Sequence, residues 1–268
     1  MDAIQKQLAM QPKISIKQII SAIIVVLVLL WSVTAINLEN FAIESVSIAK
    51  NILTGILNPD TDLLFTFTSN GVPYLLLETL AIAFLGTIVG SIIAIPLAFL
   101  SASNIVPKPV AYIIRLFLIV IRTVPAIVYG LIFIRVTGPG PFAGVLTMSL
   151  VSVGMLAKLY VDVIEDINTS VLESMESIGC TTFEKIRFGI IPQISSMFLS
   201  IVLYRFDMNL RDATVLGLVG AGGIGAPIIF AMNGYRWNEV GAILIGLIVL
   251  ILIIEVVSNK IRTKIVKG

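Results

Sequence analysis

Residues 170–193 read SVLESMESIGCTTFEKIRFGIIPQ, with five charged side chains, and lie between apolar runs at 142–163 and 194–216. A helix needs roughly 20 predominantly apolar residues to cross a hydrocarbon layer of about 30 Å, and each run is that long. A stretch too charged for lipid therefore joins two spans. Working outward, further apolar runs occur at 19–36, 74–102, 111–136 and 240–257, which makes about six predicted transmembrane helices. Composition agrees, with 57% hydrophobic and 13% charged residues among 268, against about 45–50% and about 25% in ordinary soluble domains. The expected fold class is an all-α polytopic membrane protein. Residues 1–72 should hold a cytoplasmic tail, the first span and an external connection, and residues 73–268 the transmembrane core.

Several chemistries are excluded by what the chain lacks. It has no histidine, which removes Ser-His-Asp and Cys-His nucleophile systems and His-ligated metals. Cys180 is its single cysteine, with no metal-type spacing around it, so packing is the expected role. No phosphate-binding GxxxxGK[ST] loop occurs, so any ATP must be bound by another chain. A net charge of +2, with its cations at chain ends and in loops, suits no nucleic acid. No cofactor, metal or catalytic group is expected.

Basic residues stay preferentially on the cytoplasmic side of short loops. With the N-terminus inside, twelve of the 18 Lys and Arg fall on cytoplasmic segments, from Lys6, Lys13 and Lys17 to Lys260, Arg262, Lys264 and Lys267. Four, Lys50, Arg135, Arg211 and Arg236, fall outside. Both termini are therefore expected in the cytoplasm of a cell-membrane protein. The first run also resembles a signal peptide, since Val33-Thr34-Ala35 follows its apolar core. Residues 37–71, with Glu39, Glu44, Asp60, Asp62 and the breaker Pro59, should form an external connection of short amphipathic pieces. Neither half of the chain repeats the other, which weakens an inverted-repeat transporter reading. A chain of this size is expected to build its pathway as a dimer.

The loop at 170–193 predicts two short helices. Ser170 with Glu173, and Thr181 with Glu184, each have capping-box spacing. Gly179 between them can adopt the left-handed conformation that ends a helix, and Pro192 suits the first turn of the next span. On physical grounds alone this is a well-capped hairpin, and nothing says what docks on it. The arrangement resembles the signature of ABC-importer permeases, in which a glutamate and a small residue precede a glycine and then a proline. Glu173, Ser174, Gly179 and Pro192 match its spacing. The resemblance implies a coupling helix that sits in a cleft of a separate ATPase, with Thr182, Phe183 and the helix at 182–188 as docking element. Two departures are visible: Ser174-Met175 replaces the commoner Ala-Ala, and Gly189 stands where isoleucine is usual.

Residues 75–104, 121–133 (IRTVPAIVYGLIF), 138–146 (GPGPFAGVL), 154–160 (GMLAKLY) and 203–225 (LYRFDMNLRDATVLGLVGAGGIG) resemble the phosphonate-transport permease more specifically. The resemblance implies a type I importer permease for phosphonate, phosphite or a phosphate ester. Two ATPase subunits, an extracytoplasmic binding protein and a second permease copy are the implied partners.

Charged residues inside spans normally face a partner or a water-filled cavity. Arg122, Arg205, Asp207 and Arg211 are such residues, and a guanidinium fork matches phosphate-like oxygens, so they are candidate pathway groups. Asp207 and Arg211, four apart on one helical face, can equally neutralise each other, and a structural salt bridge remains open for Arg122 and Arg205. Gly220, Gly222 and Gly225 match GxGxxG but follow a membrane helix, so tight turns and close helix approach are expected instead of a dinucleotide site. Gly86 and Gly90 form a GxxxG for close packing, weak as a dimer marker, and Glu78 is expected to be hydrogen-bonded structure. A stand-alone secondary transporter using Glu78 or Asp207, and a membrane-embedded enzyme, are the rival classes.

Overall fold

A computed structural model describes residues 16–35 and 43–267. Lys6, Lys13 and Glu39 lie outside the described residues. Two units are distinguished, Met1–Asn51 and Ile52–Gly268. The first contains α1 (Ile16–Ala35) and the start of α2 (Ile43–Leu57). The second continues through α3 (Thr61–Phe65), α4 (Val72–Ser101), α5 (Lys108–Thr123), α6 (Ala126–Thr137), α7 (Pro141–Glu165), α8 (Thr169–Ser177), α9 (Thr182–Glu184), a π-helical turn (Lys185–Ile190), α10 (Ile191–Leu218), α11 (Gly225–Asn233) and α12 (Trp237–Lys267). No strand occurs among the described residues.

Among the described residues, four helices are long and apolar enough to cross a membrane, namely α4, α7, the run Thr182–Gly217, whose apolar stretch is 194–216, and α12, or five if the bent pair α5–α6 is one span, against the six expected, while Ile16–Ser32 is a shorter apolar helix. The predicted third span at 111–136 is not one straight helix. It is α5 and α6, bent by 84°. Pro125 is the physical reason, because its ring drives the preceding residue out of the α region, and Val124 is extended at φ −84°, ψ 125°. Hydrophobicity is continuous through the break, which hides it from a reading by periodicity. The connection between the first two apolar runs contains the short helices α2 and α3, the latter capped by Asp60, whose carboxylate accepts from Leu63 N at 3.0 Å.

The core is built on α4 and α7. A Cβ on Gly90 would lie 2.6 Å from Ser152 Cβ and 2.8 Å from the Ser149 carbonyl oxygen, and one on Gly86 would strike Met148 Cβ. The GxxxG therefore closes two helices of one chain upon each other. Around this seam, Ala94, Ala98, Leu118, Leu156, Tyr160 and Ile194 form one apolar cluster, with Tyr160 stacked on Phe198 at 3.9 Å between ring centres. Ile82, Met148, Leu210 and Leu216 form a second. Val72, Ile224, Ala242 and Ile243 form a third.

Opposite the end carrying α8, the turn after α10 folds back on α4 and α7. Gly220 and Gly222 have φ of +95° and +82°, which only glycine adopts at little cost. Gly223 N then donates to Glu78 Oε1 at 3.0 Å, Ile224 N to Thr79 Oγ1 at 2.9 Å, and Gly140 N to the Gly220 carbonyl at 2.9 Å. Glu78 is thus engaged in holding a turn.

Candidate functional site

The loop between α7 and α10 is locked by its own hydrogen bonds. Asn168 is the N-cap of α8, its side chain accepting from Ser170 N at 3.0 Å. The Ser170–Glu173 capping box expected from spacing does not form, because Asn168 already occupies the cap two residues earlier. Glu173 is released, and its carboxylate has no polar partner among the described residues. Ser174 Oγ donates back to the Ser170 carbonyl at 2.7 Å.

At the far end of α8, Gly179 N donates to the Glu176 carbonyl at 2.9 Å and Cys180 N to the Met175 carbonyl at 3.0 Å. Those two bonds around a left-handed residue make a Schellman motif, and Gly179 supplies it at φ +83°. The Thr181 box does form: Thr181 Oγ1 accepts from Glu184 N at 3.4 Å, and Glu184 Oε2 accepts from Thr181 N at 2.7 Å. Hydrogen bonds from the Thr181 hydroxyl and backbone hold the Glu184 carboxyl below the usual carboxylate range. Lys185 Nζ pairs with Glu176 at 3.0 Å across the turn and fastens α9 to α8.

The second loop helix differs from expectation by not standing apart from the next span. It passes through the π-helical turn into α10, so that Thr182–Gly217 is one run of 36 residues. Pro192 falls in the first turn of α10, and Ile191 N donates to the Ile186 carbonyl, five residues back, in the wider winding just before it. Proline has no N–H and crowds the carbonyl four residues earlier, and a π turn leading into it relieves both. Ile178, the C-cap of α8, is 79% exposed, and Phe183 and Phe188 on the following run are 69% and 65% exposed. The Arg187 guanidinium lies 5.4 Å from the Phe188 ring centre.

The four intramembrane candidates are not gathered in one place. Arg205, midway along α10, is 3% exposed. Its Nε donates to Ser152 Oγ at 3.3 Å and its Nη1 to Met155 Sδ at 3.1 Å, while Nη2 lies 3.6 Å from Asp212 Oδ2 and lacks a hydrogen-bond partner. Asn209, one turn along, donates to both Thr87 Oγ1 at 2.8 Å and Ser152 Oγ at 2.7 Å, tying α4, α7 and α10 together. Asp207 and Arg211 do meet, at 3.1 Å, and Arg211 also lies 3.7 Å from Glu255 on α12. Mutual neutralisation, one of the two readings open from their spacing, describes that pair.

Arg122 ends α5 on the other side of α7, its stem packed on Gly154, where a Cβ would lie 2.8 Å from Arg122 Cγ. It opens into a cleft lined also by Arg115, Leu118, Lys158 and Asp162. Ser152, Asn209 and Thr87 carry no charge signal, and only the helix registers reveal Ser152 as a partner of Arg205 and Thr87 and Ser152 as the partners of Asn209. Asn168 could have been found, since asparagine is a preferred N-cap.

Residues 94–267 match the family model described as "Binding-protein-dependent transport system inner membrane component". The phosphite transport system permease protein PtxC of Stutzerimonas stutzeri is 32% identical over 188 residues, covering 70% of this chain and 68% of that protein. The phosphate-import permease protein PhnE of Mycolicibacterium smegmatis is 34% identical over 190 residues, 70% of this chain and 36% of that protein. Among solved structures, the inward-facing methionine ABC transporter MetNI superposes with a TM-score of 0.62 at 20% identity, over 71% of this chain and 94% of that one. A bacterial alginate ABC transporter, solved with an alginate-bound periplasmic protein, gives 0.62 at 16% identity over 96% and 99%. These two likenesses agree with the all-α importer-permease fold. With its apolar helices and this family match, the chain belongs to the binding-protein-dependent inner membrane components, the multi-pass permease subunits of ABC importers.

Proposed function

We propose that two copies of this permease form the pathway of an ATP-driven importer for phosphonate or a related phosphorus oxyanion, such as phosphite or a phosphate ester. Two ATPase subunits dock from the cytoplasm, an anion-binding protein delivers cargo from outside, and both termini are cytoplasmic. The chain itself catalyses nothing. The observation that carries the reading is the locked loop, which holds Ile178, Phe183 and Phe188 exposed beyond the apolar spans. Apolar side chains fixed in water by a Schellman motif and a capping box are what a docking element needs, because little entropy is left to lose on binding. Glu173, Ser174, Gly179, Thr182, Phe183 and Pro192 form or frame it. The cargo class rests on relatives named for phosphite and phosphate. A cryptic phosphonate permease of Escherichia coli, 33% identical over 117 residues, adds to them.

Arg122, Arg205, Asp207 and Arg211 are proposed to line or support the anion path. Uptake of methylphosphonate into vesicles holding the permease, its ATPase pair and binding protein tests the whole reading. ATP-dependent accumulation is expected. Accumulation without the ATPase, or driven by a proton gradient alone, would overturn it in favour of a secondary transporter.

A further inference from the structure

The face shared by α5 and α7 holds a cavity of about 210 Å³ whose polar lining is Arg115, Arg122, Lys158 and Asp162. Arg115 and Arg122 are seven residues apart on α5, so two turns bring them to one face with a rise of about 10 Å. On α7, Gly154, Lys158, Asp162 and Glu165 follow at intervals of three and four, which also places them along one stripe. The two stripes face each other. Gly154 receives the stem of Arg122, and at the other end Arg115 Nη2 reaches Glu165 Oε1 at 2.5 Å.

The charges are unequally committed. Arg115 is bound to Glu165 and donates from Nε to the Ser101 carbonyl at 2.9 Å. Glu165 is further held by Ser103 N at 2.7 Å. Lys158 is paired with Asp162, one turn along, at 2.6 Å to Oδ2. Arg122 makes no hydrogen bond or ion pair among the described residues. Three cations face two carboxylates, so the cleft carries one net positive charge, left at the unpaired Arg122. Arg122 is exposed and Lys158 and Asp162 are half exposed, and a cation within a span that has no protein counter-ion is costly against lipid and normally faces a water-filled cavity. An arginine fork open to a cavity, with a lysine within the same cleft, is a receptor for a tetrahedral oxyanion.

We propose that the α5–α7 cleft is a transient oxyanion stop on the import path, with Arg122 as its standing cation and Asp162 as an internal placeholder that the passing anion displaces from Lys158. This rests on the reading of the cargo as a phosphorus oxyanion. The ion exchange keeps the site weak. When the anion leaves, Asp162 re-pairs with Lys158, so release does not strand a charge, and a site on a conduction path must let go as readily as it binds. A phospholipid headgroup offers the same phosphate chemistry and is the alternative occupant.

The test uses the permease–ATPase complex in nanodiscs of phosphatidylcholine, without binding protein, and reads the phosphorus NMR line of methylphosphonate. Saturable broadening is expected in the wild type, with at least a tenfold loss of affinity in Arg122→Gln. Asp162→Asn should do the opposite, tightening binding severalfold in the nanodiscs while slowing ATP-driven uptake by a similar factor in sealed vesicles supplied with binding protein, a split that a structural role does not produce. Unchanged binding in a folded Arg122→Gln complex would overturn the proposal. So would unchanged or weaker binding in Asp162→Asn, which decides the matter if Arg122→Gln fails to assemble. In phosphatidylglycerol nanodiscs, loss of methylphosphonate binding together with lipid that copurifies with the wild type but not with Arg122→Gln would make the cleft a lipid seat and sink the cargo role. Because binding is read without turnover, a wild type that binds methylphosphonate in the cleft but imports none would overturn the cargo assignment alone.

Discussion

Replacing Gly179 by valine alters the backbone of the loop and nothing else nearby, because a Cβ there would meet no atom within 4 Å. The effect is therefore conformational. At φ +83° an L-residue is disfavoured by roughly 1–2 kcal/mol, and β-branched valine belongs at the upper end. If the loop relaxes, it gives up the Schellman bonds from Gly179 to Glu176 and from Cys180 to Met175, and α8 loses its fixed angle to α9. A change of that size lowers the ratio of closed to open loop by a factor of roughly 5 to 30. The helical core is untouched, so the detergent-solubilised permease should keep its unfolding temperature. The apparent affinity for the ATPase pair should fall by up to the same factor, and uptake with it. A series of Gly179→Asn, Gly179→Ala and Gly179→Val separates strain from steric clash. Asparagine is larger than alanine yet tolerates the left-handed region better, so strain orders the activities as Asn, Ala, Val. Normal uptake in the valine variant, or an asparagine variant worse than alanine, would rule out a coupling role for the left-handed turn at Gly179.

Phe183→Ala should weaken ATPase binding without moving the unfolding temperature, because the ring is already largely exposed. Titrating ATPase against the nanodisc-held permease checks this. Gly90→Leu should destabilise the permease by about 1–3 kcal/mol through overpacking of the α4–α7 seam, read by thermal unfolding in detergent, whereas Ser91→Ala on the same helix should be nearly silent. Arg205→Ala should impair both stability and transport, since it removes the buried partner of Ser152, Met155 and Asp212. Arg236→Ala, which breaks an exposed pair with Glu239, should shift stability by no more than about 0.5 kcal/mol. Equal effects on uptake from the two arginine variants would make Arg205 a structural residue only.

The loop was the most legible part of the chain because its signals are local. Thr181 and Glu184, three residues apart, are joined by hydrogen bonds within their own turn, and Gly179 needs only its neighbours to end α8. Ser170 misled for the same reason: its spacing to Glu173 is correct, but Asn168 captures the first turn sooner. The bend at Pro125 was written in the Val-Pro pair and masked by unbroken hydrophobicity. Ser152, which Arg205 bonds, and Thr87, which Asn209 bonds, lie 53 and 122 residues away, and no spacing rule reaches them. Which side of α7 each arginine faces depends on how α5 and α10 pack, and so the separation of Arg122 from Arg205 could not be read from their similar chemistry.

That separation bears on how a push at the loop is transmitted. Because α9 winds through the π turn into α10 as one run, Phe183 and Arg205 ride on one rod, and a displacement of the first is carried to the second over about 33 Å at the α-helical rise of 1.5 Å per residue. Asn209 bonds that rod to Thr87 on α4 and Ser152 on α7, and the glycines at 86 and 90 lock α4 to α7 with backbone-close packing. These three helices must therefore move largely as one body. The α5 helix is attached differently, through apolar contacts of Leu118 and Ile121 and through the Arg115 bonds to Glu165 and Ser101, and it is uncoupled from α6 by the Pro125 bend. A stroke applied at the loop is thus relieved most easily at the α5–α7 boundary. The cleft holding Arg122 and Lys158 lies on that boundary, so under the proposed coupling the motion that closes the ATPase pair changes the distance between its cations, the variable that sets how tightly the proposed oxyanion is held.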